Sequence, residues 1–77
     1  MKIARKYVYF DSREFDEFLK QHGLSIVIVA INIIRGNHDG YIIDSNGKFV
    51  GRYRMDHRNI YKISKKTYYK IIDRNSF

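Results

Sequence analysis

The side chains of this 77-residue sequence best suited to moving protons near neutral pH are three histidines, His22, His38 and His57. Two of them adjoin an aspartate: His38 stands beside Asp39, and His57 beside Asp56. Two such pairs near basic residues could perform general acid–base cleavage of RNA, or hold a metal ion. Histidine, asparagine and aspartate are also ordinary turn residues, and turn duty is the competing reading for both pairs. His22 reads as the last residue of a helix, where a cation suits the dipole. There is no cysteine, glycine-rich phosphate loop or HExxH-type pattern. A binding protein without cofactor or metal is therefore expected ahead of an enzyme, with His38 and His57 the catalytic candidates if it is one.

The cations carry the stronger signal. The net charge is +7. Residues 1–23 hold five basic and four acidic side chains, and residues 24–47 hold Arg35 against Asp39 and Asp44. Residues 48–77 hold nine basic side chains against Asp56 and Asp73, so the whole excess lies there. Phe49, Tyr53, Tyr61, Tyr68 and Tyr69 are interleaved with those cations. Flat rings among cations suit phosphate backbones and unstacked bases. The competing reading is that the tyrosines are core and the lysines a solvated face. Ser64-Lys65-Lys66 adds a local oddity: two lysines in the first turn of an expected helix oppose its dipole, at about 0.3–1 kcal/mol each. The same arrangement would suit a phosphate at the helix start. The expected contact surface for nucleic acid, or for an acidic protein, is Tyr41, Arg52, Arg54, Arg58, Lys62, Ser64, Lys65, Lys66 and Lys70.

The elements that must position these groups follow from the pattern. Lys2 to Phe10 reads as a strand rich in β-favouring side chains. A helix follows with Asp11 as cap, Glu14 as capping-box partner, Phe10 and Phe15 as a hydrophobic staple, and Gly23 as the stop. Its apolar stripe is Phe15, Phe18 and Leu19. Leu24 to Ile34 is β-branched almost throughout and apolar on both faces. Such a strand belongs in the middle of a sheet, or else in a dimer interface through Val27–Ile33. Asn32, its single polar residue, is expected as a satisfied core amide or a register-setting one. Arg35 to Gly40 reads as a turn. Tyr41–Asp44 and Lys48–Met55 form a hairpin over Ser45-Asn46-Gly47. A two-residue Asn46-Gly47 loop would set Ile43 against Val50, Tyr41 against Arg52 and Asp39 against Arg54. The other face, with Ile42, Phe49, Gly51, Tyr53 and Met55, would be core. Asn59 to Ile63 reads as a further short strand. A helix capped by Ser64 follows, with Ile63 and Tyr68 as staple and Tyr68, Ile71 and Ile72 as apolar stripe. The expected fold is one α+β domain over residues 1–77, of order β-α-β-β-β-(β)-α. Its sheet is mainly antiparallel, with one N-terminal and one C-terminal helix.

Composition narrows the setting. The longest apolar stretch, Ile26 to Ile34, is broken by Asn32 and is far shorter than the roughly 20 residues of a membrane helix. The basic start has no apolar run behind it and does not read as a signal peptide. No membrane partner and a cytoplasmic setting in a bacterial host are expected. Ile, Lys, Asn, Tyr and Phe make up 37 of the 77 residues, against two alanines and no proline. That bias fits AT-rich coding, as in a low-GC bacterium or one of its phages or plasmids.

Two family resemblances bear on function. His57-Arg58-Asn59-Ile60-Tyr61-Lys62 resembles the HRxxVY ending of RelE/ParE-type toxins. It would imply a ribosome- or gyrase-directed toxin with an antitoxin partner, and Arg54, His57, Arg58 and Tyr61 as functional positions. Gly36-Asn37-His38, Asn46-Gly47-Lys48 and Ser64-Lys65-Lys66 are similar to the loop, turn and helix-start signatures of double-stranded-RNA-binding domains. That family's α-β-β-β-α order is matched from Ser12 onwards. The leading expectation is a small basic RNA- or DNA-binding protein of a phage or plasmid. The alternatives are an inhibitor of a host machine, such as an anti-CRISPR or other anti-defence protein, and a RelE-like ribonuclease toxin.

Overall fold

A computed structural model describes residues 1–74. The element order is β1 (Lys2–Ile3), β2 (Tyr7–Phe10), α1 (Ser12–Gln21), β3 (Ser25–Asn32), β4 (Asn37–Ile43), β5 (Phe49–Met55), β6 (Tyr61–Ser64) and α2 (Lys65–Arg74). The strands form one antiparallel sheet in the order β1-β2-β6-β5-β4-β3. The α+β architecture, with one helix near the N-terminus and one near the C-terminus, is as the pattern predicts.

Both helices lie on one face of the sheet. Val8 and Phe10 of β2, Ile63 of β6 and Tyr53 of β5 alternate inward and are buried. They meet Phe15, Phe18 and Leu19 of α1 and Ile71 of α2 in one core. α1 starts as expected. The Asp11 carboxylate accepts from the Glu14 amide at 2.7 Å, and Glu14 accepts from the Asp11 amide at 3.0 Å. Phe10 and Phe15 close the staple with ring centroids 5.5 Å apart. Gly23 adopts φ +65° beyond the last turn, which a Cβ would oppose. Ser64 caps α2, accepting from the Thr67 amide at 3.1 Å.

The structure corrects several expectations. The first strand is a hairpin of β1 and β2, closed by the Ala4 amide on the Tyr7 carbonyl at 2.8 Å. The turn expected over Arg35–Gly40 is shorter, because β4 already begins at Asn37. Asn32 is exposed rather than core. Its side chain accepts from the Arg35 amide at 3.1 Å and shapes that turn. The final strand starts two residues later than expected, because Asp56, Asn59 and Ile60 are tied into the preceding turn. The largest correction concerns β3. It is not central: β4 has β5 on its other side and β5 has β6, so among the described residues β3 is an edge strand with one partner. Val27, Ile28, Val29 and Ile31 are 43–65% exposed there.

The hairpin register holds at Tyr41↔Arg52 and Asp39↔Arg54 and changes towards the turn. The loop has three residues, with Asp44 bonded to Lys48 and Gly47 at φ +77°. Ile43 therefore faces Phe49, and a bulge at Val50 restores the register. The bulge reverses two assignments. Val50 turns into the core at 4% exposure, and Phe49 turns out at 55%.

Candidate functional site on the open sheet face

Strand alternation fixes what the helix-free face carries. With Val8, Phe10, Ile63 and Tyr53 inward, the residues between them point the other way: Tyr7, Tyr9, Lys62, Arg52 and Arg54. Across the ladder they sit beside Tyr41 and Asp39 of β4. The result is a sheet face of rings and cations. The Lys62 ammonium lies 4.4 Å from the Tyr7 ring centre, and the Arg52 guanidinium 5.7 Å from that of Tyr41. Tyr7 and Tyr9 meet edge to face at 6.2 Å, as do Tyr41 and Phe49 at 5.2 Å. Arg54 is partly neutralised by Asp39 at 3.6 Å.

A groove of about 690 Å³ opens on this face. It widens where β6 leaves the sheet to become α2. There Ser64, Lys66 and Lys70 form its wall, opposite the Phe49–Arg52 end of β5. The Lys70 ammonium reaches the Val50 carbonyl at 3.2 Å, filling a position on the uncovered edge of β5. Of the nine expected contact residues, seven line the groove: Tyr41, Arg52, Arg54, Lys62, Ser64, Lys66 and Lys70. Arg58 does not. It lies in the β5–β6 turn, its amide bonded to Asp56 at 2.8 Å. Lys65 does not either; its amide is bound by the Lys6 carbonyl at 3.0 Å. The Ser64 hydroxyl donates to Thr67 Oγ1 at 2.9 Å besides capping the helix, so its hydrogen is already committed. Tyr7 and Phe49 are groove residues that sequence reasoning missed. Tyr7 joins through the long-range β2–β6 pairing, and Phe49 through the bulge.

The histidines are placed elsewhere. His38 is half-buried on the helix side, its Nδ1 sharing a hydrogen bond with the Tyr53 hydroxyl at 3.0 Å. Its ring packs edge-on against Tyr53 and Tyr61. Burial, then the negative charge of Tyr61 and Asp39, pushes the Tyr53 phenol up to about 12. His57 is exposed in the β5–β6 turn. Desolvation is the largest single influence on Asp56 and opposes its charge. The Arg58 and Ile60 amides, with the charges of Arg58 and His57, together outweigh it and hold the carboxyl below its usual value. Asp56 is thus a turn-former. Neither His38 nor His57 lines the groove, and among the described residues no three His, Asp or Glu gather as a metal site. His22 ends α1 against the Phe18 ring at 4.8 Å, and burial lowers its pKa.

Among the described residues no helix is long and apolar enough to cross a membrane. Comparison with protein-family models, with curated proteins and with solved structures gives no match.

Proposed function

We propose that this protein binds single-stranded nucleic acid, RNA or DNA, on the open face of its sheet. One observation carries the reading: Tyr7, Tyr9, Tyr41 and Phe49 alternate with Arg52, Arg54 and Lys62 on a face that no helix covers. A base stacked on an exposed ring is worth about 1–3 kcal/mol whatever its identity, and a neighbouring cation takes the adjoining phosphate. Lys62 over Tyr7 and Arg52 over Tyr41 provide that pairing twice. An incoming base replaces the cation above the ring, and the cation moves to the phosphate. Lys66 and Lys70 extend the positive surface along one end of the groove. Among the described residues this face presents strands and no projecting helix to enter a duplex groove, which favours unstacked strands over duplex.

Titration with labelled single-stranded RNA, single-stranded DNA and duplex tests this. All aromatic emission comes from tyrosine, since the chain has seven tyrosines and no tryptophan. Single strands should bind more tightly than duplex and quench that emission. Binding that prefers duplex, or leaves tyrosine emission unchanged, contradicts a stacking face.

A further inference from the structure

We propose that a second copy of this chain pairs with the free edge of β3, joining two six-stranded sheets into one continuous sheet. Among the described residues β3 pairs along one of its two backbone edges. Val27, Ile28, Val29 and Ile31, with Ile33 and Ile34 beyond the strand, are 43–97% exposed. A strand apolar on both faces is the pattern of a sheet interior. A strand paired across the edge lays its own side chains beside those of β3 on both faces.

Charge selects the occupant. Fifteen of the 77 residues are Lys or Arg, yet no charged side chain stands between Gly23 and Ile34. Edge strands are ordinarily protected by lysine, proline or a bulge. β3 has neither of the first two, and a single irregularity at Val29. Two copies carrying +7 each repel one another, and this neutral strip is where they approach at least cost. The same neutrality gives nucleic acid nothing to hold. The six side chains leave bare the equivalent of about four whole aliphatic residues. That is on the order of 400–500 Å² per copy from the usual worth of a buried aliphatic side chain. Two copies bury at most roughly 800–1,000 Å² of side chain before the ladder backbone is counted, in the range of weak, transient interfaces. A reversible dimer, not an obligate one, follows. Antiparallel neighbours are related by a two-fold axis through the sheet, so both open faces lie on the same side.

Sedimentation of the full chain, freed of nucleic acid, tests the proposal from about 1 µM to several hundred µM, concentrations suited to a weak, reversible interface. The mass should rise from 9.3 kDa towards twice that value. Ile31→Lys/Ile33→Lys places two like charges per copy on residues already 65% and 88% exposed, so the protomer should keep its fold while the dimer weakens about a hundredfold. Hydrogen exchange of the unmodified chain gives a second readout, independent of the variant folding. Amides of Val27 to Ile31 should gain protection with concentration. A monomer throughout, a dimer indifferent to the two lysines, or β3 exchange independent of concentration overturns the proposal. None of these outcomes depends on nucleic-acid binding, so the two readings fail separately.

Discussion

The charge arrangement on the open face sets a number that can be measured. Arg52, Lys62 and Lys66 line the groove with no carboxylate partner among the described ion pairs, while Arg54 shares its charge with Asp39. Three to four phosphates neutralised on a single strand give a slope of log affinity against log salt of about −2 to −3. Raising salt from about 50 to about 200 mM should then weaken binding by about 15- to 50-fold. Arg52→Gln/Lys62→Gln removes two of those contacts. The slope should fall to about −1, and affinity at ~0.1 M salt should drop by about 25-fold with the non-electrostatic part unchanged. The control is Arg13→Gln/Lys20→Gln. It removes the same net charge from the exposed surface of α1, where Arg13 pairs with Glu17 and Lys20 with Asp16. It should cost less than about twofold, as expected for exposed charges beyond a Debye length of the ligand. Fluorescence anisotropy with a labelled strand of about twelve nucleotides, within the 4–16 typical of such faces, is a suitable assay. Equal losses in the two double variants would mean that net charge alone drives binding. An unchanged slope in the first would mean that the sheet face is not the contact surface.

Two further predictions concern the scaffold. At Gly51, under α2, an added Cβ would meet the Thr67 side chain, including Oγ1 at 2.7 Å and Cβ at 3.1 Å. Gly51→Ala should therefore destabilise by about 1–3 kcal/mol in denaturant titration, and adding Thr67→Ala should recover part of that loss. Full stability in Gly51→Ala would refute close docking of α2 on β5. Tyr53 sets the alkaline limit. Its phenol is raised from 10.0 to about 12, so the neutral form is favoured in the folded state. The stability this contributes is fully present below pH 10 and is lost as pH rises through about 12. Tyrosinate absorbance should reveal one tyrosine titrating with the unfolding transition, and Tyr53→Phe should remove that component.

What the sequence disclosed divides by the range of the interactions involved. The start of α1 was legible because Asp11, Glu14, Phe10 and Phe15 form a local device whose parts are all within five residues. The pairing of Tyr41 with Arg52 was legible for the same reason, the strands being joined by a short turn. Phe49 and Val50 were exchanged because one extra loop residue and a compensating bulge leave the distant register untouched. Nothing in a period-two pattern distinguishes that from a two-residue loop. Tyr7 and Tyr9 were missed as site residues because their neighbour Lys62 reaches them only through a pairing between opposite ends of the chain. β3 was misplaced for a different reason. Apolar residues on both faces are required of a central strand and of an edge that meets another molecule, and the pattern is the same in both.

The pairing of β2 with β6 has a consequence for how the chain acquires its structure. β3 to β6 follow one another across the sheet as successive neighbours, so each can zip onto the last through short closures. β2 finds its partner only when Tyr7 meets Ser64 and Phe10 meets Tyr61. During synthesis β1, β2 and α1 emerge before β6 and α2, so Phe10, Phe15 and Phe18 lack the cover of those elements in the meantime. Of the strand pairings in the sheet this one closes the longest loop, so it carries the largest closure entropy and leaves the nascent chain open to aggregation or proteolysis until it forms.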